Sequence, residues 1–428
     1  MLPVVVVTTQ PPAPVEAPGV SGRDRVGLGF VVLYTLAFMA SCLMLIAPLL
    51  VTLALRVGDL VGAAAAPGRL ALALAVGSFL SLFANPLFGK LSDRTTSRFG
   101  MRRPWMLLGL AGGTVGIATI AYARTFTVVL LGWCVAQVFF NALLAVQVAV
   151  LPDQVPAAQR GMVSGVLGVC VPVASVCGTY LVNVFSPNTV AMFLGPVALG
   201  AVFIVLFAAV LPDRRLPPGS VPRWSWREFA GTFYVSPRRH RDFSWVFLSR
   251  FLFVMAFAFL TSYQVYYLLA DLGSSQDRVP HQVFVATLVS SAGVVVASLV
   301  GGKLSDSSGR RKVFVLAAAV VYGVAMFMVA LAGDFATFLV GVAVSGVGFG
   351  VYVAVDLALV TEVLPSAADT AKDMGVFNIA NSLPYSVAPA VAPAILAVSG
   401  GRYPALFAFA GACALASALV VSRVRSVR

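Results

Sequence analysis

Twelve stretches of about 20 or more predominantly apolar residues run through this chain, each long enough to cross a hydrocarbon core as a helix. They fall near 27–55, 70–90, 104–122, 126–151, 162–186, 190–211, 243–270, 281–302, 312–332, 335–361, 373–397 and 403–422. A soluble fold cannot bury them, because single cores stop growing near about 250–300 residues. Composition agrees: of 428 residues, 60% are hydrophobic and 11% charged, against about 25% charged in an ordinary soluble domain. The chain reads as an all-α membrane protein with 12 transmembrane helices. A soluble enzyme and a disordered chain are both excluded.

The net charge of +13 would suggest nucleic acid if it were clustered on one surface. Its distribution says otherwise. With an even number of spans both termini share a side, and that side collects 23 Lys and Arg against 5 on the other. Basic loops stay cytoplasmic, so both termini are expected in the cytoplasm of a multi-pass cell-membrane protein. The cations then meet anionic lipid headgroups; the bilayer is the partner and nucleic acid is not. One cation, Arg250, is left inside a span.

Cys42, Cys134, Cys170, Cys177 and Cys413 all lie in apolar runs without a CxxC pair or a nearby His, so they read as small packing residues. No metal or cofactor is expected, and no Walker loop or nucleophile–base arrangement is present. Residues 1–26, proline-rich at the start, read as a flexible cytoplasmic tail.

The second constraint is a duplication. Gly-Lys-Leu-Ser-Asp occurs at Gly89–Asp93 and again at Gly302–Asp306, each copy after the second span of its half and before a basic cluster. Val148–Pro156 aligns in the same way with Leu357–Pro365. The chain therefore divides into a six-helix bundle over 27–211, a linker over 212–242, a second six-helix bundle over 243–422 and a short tail over 423–428. Two parallel six-helix repeats are a transporter design. In the linker, Trp224, Trp226, Phe229, Phe233 and Tyr234 interleave with arginines, a mixture that fits an interfacial helix or a plain connection.

The segment Gly89-Lys-Leu-Ser-Asp-Arg94-Thr-Thr-Ser-Arg98-Phe-Gly-Met-Arg102-Arg103-Pro104 closely resembles the loop 2–3 signature of the major facilitator superfamily. Within it, Arg98–Trp105 resembles sucrose/proton symporters. Leu151–Gly161 resembles bacterial relatives of those carriers and of glycoside-pentoside-hexuronide symporters. The resemblance implies two pseudo-symmetric bundles, spans 1, 4, 7 and 10 around a central cavity, and a small-molecule substrate carried by a monomer.

It also implies a cytoplasmic gate. Asp93 and Asp306 end spans 2 and 8, where a carboxylate can accept from a helix N-terminus of the opposite half and pair with arginines. Asp153 and Glu362 end spans 4 and 10 and suit Arg94, Arg98, Arg160 or Lys372; Arg102, Arg103 and Arg310 complete the set. The same charges could simply fix topology. Gly89 and Gly302 are expected to permit close helix approach.

Ionisable residues inside spans are functional candidates by default. Arg250 and Asp356 lie at nearly matched depth from the basic side, in spans 7 and 10. A pair between them could be a static satisfaction of two buried charges, or a proton relay in which protonation of Asp356 releases Arg250. The aligned first-half residue, Gln147, cannot titrate. Tyr34, Gln137, Asn141, Gln147, Tyr263, Gln264, Tyr267, Tyr352, Asn378, Asn381 and Tyr385 could offer hydrogen bonds and stacking to a polyhydroxylated solute, or could bond helix to helix. A proton-coupled importer of a sugar or glycoside is the reading favoured by the resemblance. A proton-coupled exporter of a drug or natural product is the alternative; such exporters carry an Arg in span 4 and a G-P-x-x-G-G stretch in span 5, and neither is present.

Overall fold

The computed structural model describes residues 25–216, 241–362, 377 and 379–424. The expected linker helix, Lys372 and Asn378 lie outside these residues, as does the Glu362 side chain.

Twelve helices long and apolar enough to cross a membrane make up the described structure. In the first half they are α1 (Leu28–Val61), α2 (Ala66–Asp93), α3 (Arg103–Ala121), α4 (Phe126–Gln154), α5 (Ala157–Phe185) and α6 (Thr189–Val210). In the second half they are α7 (Arg241–Ala270), α8 (Val279–Ser308), α9 (Arg311–Ala330), α10 (Phe335–Glu362), α11 (Pro384–Val398, completing a span that begins at Ile379) and α12 (Tyr403–Ser422). Proline stands in the first turn of α2, α3, α8, α11 and α12, where its missing N–H is an orphan anyway. The helices are apolar nearly all round, as lipid on one side and protein on the other require.

The first span differs from the sequence reading in two ways, each with a physical reason. α1 runs on to Val61 rather than stopping near 55, because Arg56, which looks like an end signal, turns its guanidinium onto the Ala123 carbonyl. The same helix loosens into a π-helical turn at Pro48–Thr52: Pro48 supplies no N–H, and the Leu53 N–H reaches back to the Pro48 carbonyl.

Small residues set the closest helix approaches, but not the ones expected. A Cβ on Gly89 would meet nothing within 4 Å, and one on Gly302 only Ala354 at 3.8 Å. Tight contacts fall instead between α8 and α10, where a Cβ at Gly346 or Gly350 would lie 2.4 Å from the carbonyl oxygens of Ser290 and Val294, and between α3 and α4, where one at Gly116 would lie 2.5 Å from the Ala136 nitrogen.

Each half packs within itself, and the halves meet through α2 against α11 and α5 against α8. Hydrogen bonds among the described residues join them: Tyr266 Oη donates to the Ala54 carbonyl at 3.0 Å, Gln276 Nε2 to Asp59 Oδ1 at 2.5 Å, and Ser291 Oγ to the Pro172 carbonyl at 3.4 Å. The first two lie toward the face opposite the basic loops and draw it together.

Candidate functional site

The second half carries a buried ion pair. Arg250 sits nine residues into α7, about 14 Å along its axis at 1.5 Å per residue. Asp356 sits six residues before the end of α10. Arg250 Nη1 donates to Asp356 Oδ2. The Asp356 side chain is 3% exposed and that of Arg250 21%, so the carboxylate is enclosed while the guanidinium keeps an edge toward open space. Around them, Arg250 Nη2 lies 3.4 Å from Asn381 Oδ1, and the guanidinium rests over the Phe377 ring at 4.6 Å. Tyr352, one turn before Asp356, stacks on Phe253 at 3.6 Å between centroids. Two charges taken out of water repay their desolvation only through such contacts.

Nearer mid-membrane, a cavity of about 110 Å³ opens where α7, α8, α9 and α10 meet α1 and α5. Its polar lining is uncharged: Ser175, Thr261, Gln264, Thr287, Ser290, Ser291, Tyr322 and Ser345. The Tyr322 hydroxyl is fully enclosed there and has no hydrogen-bond partner among the described residues. Phe257 and Phe349, which also line it, stack at 4.3 Å. Tyr385 meets Phe257 edge-on at 6.5 Å.

The remaining cavity candidates divide. Gln264 lines the cavity. In α4, Asn141 Nδ2 donates to Gln137 Oε1 at 3.0 Å and to its carbonyl at 2.8 Å, so the two amides satisfy each other. Three tyrosines spend their hydroxyls on backbone carbonyls: Tyr34 on Gln147, Tyr263 on Pro389, and Tyr267 on Val329 and Ala332. All three are fully buried, and in this structure their hydroxyls tie helix to helix. Gln147 is buried too, its Nε2 donating to the Ala37 carbonyl at 3.2 Å.

At the basic face, one arginine gathers the first-half motif. Arg102 Nη2 meets Asp93 at 2.6 Å, its Nε meets Asp153 at 2.7 Å, and its Nη1 donates to Ser92 Oγ at 2.5 Å. Its side chain is 5% exposed. Burial penalises this charge, but the hydrogen bond and field of Asp153, then those of Asp93, more than offset it and push its pKa above the ordinary arginine value. Asp153 thus pairs with Arg102, a partner the sequence reading had not matched to it. Arg160 turns back onto the carbonyls of Val155 and Pro152 at the end of α4, and Arg98 lies over Phe99. Arg94 caps the end of α2. Asp93 is paired inside its own half, so this cluster locks α2, α3 and α4 together. Asp306 and Arg310 in the second copy of the motif are exposed.

Sequence reasoning missed Asp213. It accepts from the backbone N–H groups of Arg102 and Arg103, both at 2.8 Å, while Arg103 reaches back to the Leu211 carbonyl. Gly100, at φ +102, lets this turn form; a Cβ there would fall 2.1 Å from Asp213 Oδ2. The only signal was an acid directly after the sixth span. Phe377, Tyr266 and Tyr322 carried none beyond being aromatic.

Two overlapping stretches, residues 28–291 and 246–428, match the Major Facilitator Superfamily and together span the membrane region. The chain belongs to that superfamily. Its fold is similar to a solved nucleoside transporter, NupG, at a TM-score of 0.74 and 13% identity, covering 92% of this chain and 99% of that one. A D-xylose-proton symporter superposes at 0.70 and 14% identity, over 92% and 97%. In sequence, 100 residues are 33% identical to plastidic glucose transporter 4 of Arabidopsis thaliana; that match spans 23% of this chain and 18% of the plant protein. The protein is accordingly a multi-pass membrane protein of this superfamily.

Proposed function

We propose that this superfamily member carries a sugar or glycoside together with protons across the cell membrane by alternating access, with the basic face in the cytoplasm and the chain acting as a monomer. The observation that carries the coupling is the Arg250–Asp356 pair. An enclosed carboxylate held by a partly accessible guanidinium has two arrangements, paired when charged and released when protonated. The solute class is supported by the neighbouring cavity, whose lining of hydroxyls, one amide and stacked aromatic rings suits a neutral polyhydroxylated molecule and offers no counter-charge to an ionic one. The glucose transporter and the xylose symporter among similar proteins point the same way. Asp93, Asp153 and Arg102 would then brace the first half as it rocks against the second.

A thermal-shift panel on the purified protein tests the solute class. A true ligand stabilises by mass action, about 2.7 kcal/mol at a hundredfold excess over Kd. Hexoses, pentoses or their glycosides are expected to raise the unfolding temperature. An antibiotic that stabilises where every sugar fails would replace this reading by the exporter.

A further inference from the structure

We propose that the groove between α8 and α9 on the basic-face half of the second bundle binds one anionic phospholipid of the surrounding bilayer. The groove has a volume of about 550 Å³ and an almost wholly apolar lining. α8 forms one wall from Ala292 to Leu304, Phe314 of α9 the other, and Val347 and Val351 of α10 the floor. The twelve steps from Ala292 to Leu304 at 1.5 Å each make it about 18 Å long, close to the roughly 15 Å depth of one leaflet's hydrocarbon. It faces lipid and not the other half: α5 packs on the opposite side of α8, through Ser291 against Pro172 and Phe284 against Tyr180. Val296, Val300 and Leu304 are each more than half exposed along it.

Its mouth carries the complementary charge. Lys303 lies on α8 beside Leu304, and Arg310 stands at the entry to α9; both are exposed. No side chain caps the first turn of α9, so its backbone N–H groups and the positive end of its dipole point at the same level. A phosphate there would meet two cations and a helix N-terminus while its acyl chain filled the groove. Basic sites between helices at the cytoplasmic side hold anionic headgroups in this way. A second copy of the chain is a poorer occupant, because a two-fold contact would set Lys303 and Arg310 against their own equivalents.

Native mass spectrometry of the delipidated full chain tests this, with phosphatidylglycerol and phosphatidylcholine of identical acyl chains as probes. One phosphatidylglycerol is expected to remain bound, preferred roughly 30-fold over phosphatidylcholine, the ratio that two headgroup-level cations give. Lys303→Gln with Arg310→Gln should erase the preference while leaving the groove. Val300→Trp, which fills the groove and leaves the charges, should remove binding of both lipids. Equal retention of the two lipids by the wild type would overturn the proposal. So would phosphatidylglycerol binding that survives Val300→Trp, or a dimer that Val300→Trp dissolves.

Discussion

Asp356→Asn is expected to abolish uphill accumulation while leaving solute exchange intact. A pH gradient of one unit driving one proton sustains a solute ratio of about tenfold, since a factor of ten is worth about 1.4 kcal/mol. The asparagine keeps an oxygen for Arg250 to bond but cannot take up a proton, so the ratio in proteoliposomes should fall to unity. Counterflow of labelled against unlabelled sugar needs no proton and should persist. Loss of both activities would mean that Asn damages the fold or the cavity. Retained accumulation would remove Asp356 from coupling altogether.

The second large effect concerns stability. Arg250→Ala leaves the Asp356 carboxylate enclosed without its partner, and breaking one side of a buried pair costs about 3–5 kcal/mol. Asp356 is almost completely buried, so little water reaches it to compensate. Adding Asp356→Asn to Arg250→Ala should return most of that loss, because no charge is then stranded. Thermal unfolding of the four species in detergent gives the cycle. Additive losses from the two substitutions would show that the pair contributes nothing, whatever its geometry.

The spans were legible because lipid leaves the backbone few choices: every long apolar run had to be a helix, and the cations marked one face. Arg250 and Asp356 were legible for the same reason, as charges where charge is expensive. Their partner Phe377 was not, because an aromatic residue in an apolar span looks like any other. The tyrosines were left open for a different reason. Spacing can place Tyr34, Tyr263 and Tyr267 within helices, but it cannot show that each hydroxyl is already spent on a neighbouring carbonyl. Tyr322, whose hydroxyl is unspent and enclosed in the cavity, lay in a span with no other polar signal. The motif at Gly89–Arg103 showed where the basic-face cluster would be but not its centre. Arg102 wins Asp153 because Gly100 turns the chain beneath the ends of α2 and α4, and a backbone angle of that kind leaves little trace in one sequence.

The coupling claim is tested most directly by counting protons. With purified protein in weakly buffered proteoliposomes, a downhill pulse of the sugar that stabilises it should carry protons inward at one per solute, recorded as alkalinisation outside. Asp356→Asn should carry the sugar with no pH change. Sugar entry without proton movement in the wild type, or unchanged proton movement in Asp356→Asn, would contradict the assignment of Asp356 as the proton carrier.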